Sequence, residues 1–374
     1  MAEGQGQPSW FQRFLLPGFA FKAVVIGGGY ATGRELAEFF LPSGPLGGVL
    51  AIVLAMASWS LVCALTFAFA YATRSFDYRS FFRQLLGPFW IVFEAAYLLF
   101  IVLILAVFGA AAGAIGEAVF GLPKLVGTLA LVVAIAAFTA FGNASVERLF
   151  KWVTIFLYGV YAVFAVLALS SFGDRALANL ATPVAMEGWV LNGLTYAGYN
   201  VIGAIVILPV VRHFTSRKDA VVAGLLAGPL AIWPALVFFV CMVAFYPQIG
   251  DETLPSDFLL RQLNQPAFHI VFQLMIFSAL LESGAGGVNG FIERVAAAYR
   301  ARGKKELSPQ WRLLIAGVVL VGAVFLAEAV GLVALIAQGY RALAVTIIVL
   351  FVAPLLTLGA WRLTRRKVVA EQAV

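Results

Sequence analysis

From one end to the other, the chain is a succession of apolar runs, each about 20 residues or longer, joined by short connections. A helix needs roughly 20 apolar residues to cross a bilayer's hydrocarbon. On that ruler the sequence predicts ten crossings, at about 15–41, 46–73, 88–118, 124–142, 147–172, 188–212, 219–246, 266–299, 312–328 and 331–360. Composition agrees: 63% of the residues are hydrophobic and 11% charged, against roughly a quarter charged in an ordinary soluble domain. Residues 1–374 are therefore read as one all-α integral membrane domain, with no soluble domain left over.

The cations test this count, because Lys and Arg collect on the cytoplasmic side of alternate loops. With both termini inside, the inner side takes such residues as Arg13, Lys22, Arg74, Arg148, Lys218 and Arg366, whereas the outer loops hold only Lys124, Arg175 and Arg261. Arg34 and Arg341 fall within spans. A missed helix would scramble this division. The expected location is a bacterial inner membrane, with both termini cytoplasmic. The start of the chain lacks the pattern of a cleaved signal peptide, so the first apolar segment is expected to be retained. Cys63 and Cys241 lie inside apolar spans and read as small hydrophobes. The net charge of +7 does not point to nucleic acid, because its position in the loops already accounts for it.

Span one is interrupted by Gly27-Gly28-Gly29-Tyr30-Ala31-Thr32-Gly33 and continues as Arg34-Glu35-Leu36-Ala37-Glu38. Glycine disfavours helix, and intramembrane charge is costly, so this segment reads as a broken helix with polar work to do. Span six carries a second interruption, in which Gly198-Tyr199-Asn200-Val201-Ile202-Gly203 faces Gly29 to Gly33 of the first. Each break opens a set of five spans, at about 15–172 and 188–360. Five is odd, so the halves have opposite orientation, the inverted repeat of many secondary transporters. Glycines also suit close helix packing alone, and that reading stays open.

With these residues in place, the chain resembles the LeuT fold of the amino acid-polyamine-organocation superfamily. Ten spans as five plus five, breaks in spans one and six, and a long third span carry the resemblance. Within it, Gly28-Gly29-Tyr30-Ala31-Thr32-Gly33-Arg34-Glu35 with Phe39-Phe40 is similar to the YkvI family of bacterial membrane proteins. The chain departs from the metal-transporting branch of the fold, whose Asp-Pro-Gly-Asn motif and span-six methionine are replaced by glycines and Tyr196-Ala197-Gly198-Tyr199. Transport of a divalent metal is not expected.

Broken helices leave unpaired N–H groups at one half-helix end and carbonyls at the other, which attract anions and cations respectively. Gly28, Gly29, Tyr30 and Thr32 with Tyr196, Gly198, Tyr199 and Asn200 are the candidate enclosure for an amino acid or related zwitterion or carboxylate. Glu282 lies mid-membrane in span eight, where a carboxylate is expensive unless paired or bound to a cation. The resemblance implies that Ser283, Ser278 and the carbonyls of Val24 and Gly27 are ligands of a coupling sodium ion, with Glu282 a further ligand or a proton carrier. Pairing of Glu282 with Arg341 or another cation to hold helices together is the alternative. Glu35 and Glu38 share a helix face, with Arg34 pointing elsewhere. The resemblance implies that one of the two meets Arg341 as an outer gate, against which stands simple structural pairing. Lys151, a proton-coupling position in relatives, reads better as an interfacial lysine. Glu94 and Glu117 receive no role.

The sequence therefore predicts a secondary active transporter for a small organic solute, coupled to sodium or protons, in contact with lipid and without an obligate protein partner. A channel or uncoupled facilitator is the alternative. His213 and His269 fall on opposite membrane faces, and no catalytic constellation, transition-metal site, resident cofactor or phosphate loop is visible, so an enzyme is not expected.

Overall fold

The computed structural model describes residues 8–25, 30, 32–140, 143–301 and 307–364. Among them there are helices and turns but no strand. Seven helices are long and apolar enough to cross a membrane, and the order of elements is consistent with ten crossings.

A short amphipathic turn, α1 (Trp10–Phe14), leads into α2 (Leu16–Val25). The helix resumes as α3 (Arg34–Phe39), so span one is divided. Gly33 caps α3 at φ 76°, and a Cβ there would stand 2.6 Å from the Phe238 ring. Only glycine meets both demands, a left-handed backbone and an aromatic ring against the α-carbon. Span two is α4 (Gly44–Thr73). The surface helix α5 (Tyr78–Leu86), N-capped by Asp77, precedes span three, α6 (Trp90–Phe120). Span four is α7 (Lys124–Ala140) and span five α8 (Asn143–Ala181). Span six divides as expected into α9 (Trp189–Asn200), a turn at Val201–Ile202, and α10 (Gly203–Val206) with a tighter 3-10 turn after it.

The remaining spans are α11 (Arg217–Val243), α13 (Pro266–Ala301), α14 (Pro309–Val330) and α15 (Leu332–Thr364), with the short outer helix α12 (Pro255–Leu263) between α11 and α13. Wide π turns interrupt α15 at Leu335–Gly339, Ile348–Val352 and Leu355–Gly359. The first of them ends immediately before Tyr340 and Arg341.

The packing repeats itself when spans are renumbered by five. Span one lies on span seven (α2 on α11), and span six on span two (α9 on α4). Span four lies on span eight (α7 on α13), and span nine on span three (α14 on α6). The pairs that map onto themselves, two with seven and three with eight, are also in contact. At the first of these self-pairs a Cβ on Gly224 of α11 would stand 2.3 Å from the Ala64 backbone of α4, so the helices meet backbone to backbone. Spans one, two, six and seven thus form one group, and spans three, four, eight and nine another, with both breaks between them.

Candidate functional site

A cavity of about 380 Å³ opens where the breaks face the second group. Span one contributes Ala23, Val24 and Val25 from the end of α2 and Glu35 from α3; span six contributes Tyr199, Asn200, Ile202 and Val206. Span eight supplies Glu282, Ser283, Gly286 and Gly287, and α15 supplies Tyr340. Span three supplies a wall of Tyr97, Phe100, Ile101, Ile104, Leu105 and Phe108. Their spacing follows one stripe of an α-helix.

Glu35 is the polar centre of this surface. Its side chain is buried, in a residue 5% exposed, and accepts a hydrogen bond of 2.5 Å from the Tyr199 hydroxyl. The Tyr340 ring packs against that of Tyr199, with centroids 4.6 Å apart and the planes tilted by 39°. Glu282 lines the same cavity. Among the described residues that line the cavity, none is cationic.

Two carbonyls in the last turn of α9 accept side-chain donors, and the Ala197 carbonyl accepts the Val201 N–H as well, at 3.1 Å. Trp59 Nε1 donates to the Ala197 carbonyl at 3.3 Å, and Asn200 Nδ2 donates to the Tyr196 carbonyl at 3.0 Å.

Of the expected substrate residues, Tyr199 and Asn200 reach the cavity. Gly28 and Gly29 lie outside the described residues. Tyr30 packs beside the Tyr161 ring of α8, with centroids 6.5 Å apart. Thr32 is fully buried; its hydroxyl accepts from the Arg34 N–H at 3.3 Å, and its carbonyl accepts from the Ser256 N–H of α12 at 2.9 Å. Tyr196 sits among Phe40, Trp59 and Phe39, behind the cavity wall. Gly198 faces Ile348 and Ala344 of α15, so its small size serves helix packing there.

Of the expected ion residues, Val24, Glu282 and Ser283 line the same cavity. Gly27 lies outside the described residues, and the Ser278 hydroxyl is turned onto its own helix, donating to the Leu274 carbonyl at 2.8 Å. The side chain of Lys151 is likewise outside the described residues.

Glu38 is held by two guanidinium groups, Arg34 and Arg341, each at 3.2 Å. Arg34 therefore does not point away from Glu38 as the sequence reading expects. The two are four residues apart, one helical turn, and share a face; Glu35, about 100° around the helix from Arg34, turns to the cavity. Arg34 also donates to the Gly250 and Glu252 carbonyls at 2.8 and 2.9 Å, fixing α3 to the loop before α12. Near the start of the chain Arg13 grips Asp219 of α11 with two hydrogen bonds of 2.8 Å, and this hydrogen bonding raises the Arg13 pKa.

With this geometry, the likeness to known proteins becomes specific. No described protein family matches the chain as a profile. The chain is 23% identical over 290 residues to the uncharacterized membrane protein YkvI of Bacillus subtilis, covering 74% of this chain and 79% of that protein. Among solved structures it resembles MhsT in complex with L-phenylalanine, with a TM-score of 0.58 at 18% identity, covering 93% of this chain and 90% of that one. A substrate-bound, outward-open sialic acid symporter coupled to Na+ superposes with a TM-score of 0.57 at 14% identity, over 91% and 78% of the two chains. The chain is a YkvI-like membrane protein with the LeuT fold. A manganese transporter of Eremococcus coleocola also shares the fold, with a TM-score of 0.54 at 16% identity over 95% of this chain and 81% of that one.

The cavity residues missing from the candidate set of the sequence reading are the span-three stripe and Tyr340, with Ala23, Val25, Ile202, Val206, Gly286 and Gly287. The stripe has helical spacing, but α6 is apolar on every side, so nothing in the pattern marks which face is inward. Tyr340 adjoins the Arg341 that the sequence reading selects, and only the helix register distinguishes their directions. Glu94, left without a role, accepts a hydrogen bond of 2.9 Å from the Tyr78 hydroxyl, and Glu117 pairs with Lys124 at 3.4 Å in an exposed position.

Proposed function

We propose that the chain is a secondary active transporter, moving a small organic solute across a bacterial inner membrane by alternating access, with both termini cytoplasmic. The observation that carries this reading is the single cavity bounded by both interrupted helices and by spans three and eight. A site at the seam between two packed groups changes its exposure when one group rocks against the other, without being rebuilt. The neighbours of known type, a symporter and a manganese transporter, are transport proteins.

The division of labour follows the chemistry of the wall. Aromatic and aliphatic side chains of α6 bury the apolar body of the solute, while Tyr199, Asn200 and Glu35 fix its orientation. An amino acid or related molecule has a matching group in its ammonium. A coupling cation, sodium or a proton, has oxygen donors of the right type at Glu282 and Ser283, with Val24 on the same cavity wall. The likeness to a Na+-coupled symporter supports sodium as a candidate. Glu38 with Arg34 and Arg341 forms the outer gate.

The test is uptake of radiolabelled amino acids and osmolytes into proteoliposomes carrying an imposed sodium or proton gradient. Accumulation above the external concentration, abolished by collapsing the gradient, is the expected result. Flux that never becomes concentrative would replace this reading with a channel or facilitator.

A further inference from the structure

We infer that Arg79 and Arg83, gathered over the Trp90 ring at the start of span three, hold the phosphate of an anionic phospholipid.

The two arginines are four residues apart on α5, one helical turn, and so share a face. Their guanidinium carbons lie 5.3 and 4.8 Å from the centre of the Trp90 ring. Like charges at this spacing repel, so the indole, which attracts both, gathers cations that would otherwise separate. Neither guanidinium makes an ion pair or a hydrogen bond among the described residues, and the Arg79 Nε is buried without an acceptor. The carboxylates that flank the pair in sequence are engaged. Asp77 caps α5 and accepts from the Ser80 N–H and hydroxyl, and Glu94 accepts from the Tyr78 hydroxyl. Two more guanidinium groups adjoin the same helix: Arg294 stands 4.0 Å from the Tyr78 ring centre, and Arg362 donates to the Gln84 carbonyl. The charge left over around α5 is positive, which favours an anion.

Placement selects a lipid over a soluble anion. α5 buries Phe81, Phe82 and Leu85 against the protein and turns through Gly87-Pro88-Phe89 into span three. On either side of Trp90, Phe89 and Ile91 are 71% and 61% exposed, an open apolar flank at the end of a membrane-length helix. Tryptophan at such a position sits at headgroup level, with acyl chains along the residues that follow it. One phospholipid meets both halves of this surface, its phosphate at the arginines and its chains against Phe89 and Ile91. The guanidinium fork matches phosphate oxygens in pairs. Two such groups over-compensate one phosphodiester, so a headgroup carrying its own ammonium or choline brings repulsion that a glycerol headgroup does not. The lipid is therefore of the phosphatidylglycerol type.

The full-length protein, stripped of lipid in an uncharged detergent, is titrated with dioleoylphosphatidylglycerol or dioleoylphosphatidylcholine, and binding is read by native mass spectrometry. Wild type is expected to bind the anionic lipid at least about tenfold more tightly. Arg79→Gln with Arg83→Gln is expected to reduce that preference to within about twofold. Arg217→Gln with Lys218→Gln, the same loss of charge at the start of α11, is expected to retain it. Arg83→Gln alone, at an exposed side chain, is expected to lower the preference at least about twofold, and decides the matter if the double variant does not fold. Glycerol 3-phosphate, the headgroup chemistry without chains, is expected to displace no lipid at about 1 mM. Comparable binding of the two lipids, a preference unchanged by the arginine variants, an equal loss in the α11 variant, or displacement by glycerol 3-phosphate each overturns the inference.

Discussion

Arg341 of α15 meets Glu38 of α3 at 3.2 Å, joining residues 303 positions apart, and the same carboxylate receives Arg34 from one helical turn away. The Arg341 side chain is 56% exposed and that of Glu38 15% exposed, so this is a bridge partly open at the protein surface.

Such a pair contributes at most about 1 kcal/mol to the fold. Arg341→Met is therefore expected to leave the apparent melting temperature within about 3 °C of wild type. If the pair is a gate, the same variant lowers concentrative uptake several-fold by letting bound solute escape outward, and solute dissociation measured in nanodiscs speeds up. Exchanging the charges, with Arg at 38 and Glu at 341, should not restore uptake, since Arg34 would then face a like charge four residues on. Full rescue by the exchange would assign Arg34 no part in the gate.

Glu282 and Ser283 line the same cavity as Ala23, Val24 and Val25 of α2. If they hold the coupling ion, Glu282→Gln removes the charge that attracts it while keeping shape and a hydrogen-bonding group. Gradient-driven accumulation should be lost, and solute counterflow, which needs no net coupling, should persist. Wild-type accumulation in this variant would remove Glu282 from the coupling machinery.

The spans and the two interruptions were legible because lipid permits so few solutions: an apolar run of about 20 residues must be helical, and glycines with charges inside one must mark an exception. The partition of charges around the first break was harder to read. Arg34, Glu35 and Glu38 occupy one helical turn and a half, and a small rotation decides which carboxylate faces the cavity and which the gate. The structure gives Glu35 to Tyr199 and Glu38 to the two arginines. The span-three wall was invisible for the opposite reason, since every face of α6 is apolar. The outer helix α12, which ties to Thr32 through the Ser256 N–H, has no apolar signature long enough to stand out among the loops.

Gly33 and Gly121 both have positive φ, at 76° and 63°, but only Gly33 is crowded, with the Phe238 ring 2.6 Å and Pro255 3.1 Å from a built Cβ. Gly121→Ala is expected to cost only the left-handed backbone, about 1–2 kcal/mol. Gly33→Ala adds overpacking of about 1–3 kcal/mol and displaces α3, which carries both Glu35 and Glu38. Fluorescence-detected thermal unfolding should rank Gly33→Ala well below Gly121→Ala, and only the former should lose solute binding.

Lys22, counted among the inner-side cations in the sequence, is in fact 9% exposed, its ammonium 4.1 Å from the Tyr158 ring centre on the wall of a second, smaller cavity. A cation–π contact of this kind contributes about 0.5–2 kcal/mol, against which stands the cost of burying the charge. Lys22→Met keeps the apolar stem and removes both effects, so its melting temperature should equal or exceed that of wild type, whereas Lys22→Ala, which also removes packing, should fall below it. A loss in Lys22→Met as large as in Lys22→Ala would make the charge itself essential to the fold.

At the inner end, Asp219 gathers five contacts: two from Arg13, the Thr215 N–H and hydroxyl, and the Ser216 hydroxyl, all between 2.8 and 2.9 Å. Removing the arginine leaves the carboxylate with three donors, but removing the carboxylate strands every one of them. Asp219→Ala is therefore expected to cost about 1–3 kcal/mol, the loss of a charged hydrogen-bond acceptor, and Arg13→Ala to change stability far less. If this contact also holds the inner mouth shut, Arg13→Ala should increase labelling by a membrane-impermeant thiol reagent of a cysteine introduced at Val206, a residue of the cavity wall, in inside-out vesicles. Labelling at the wild-type level would make Arg13 a surface tether for α1 and nothing more.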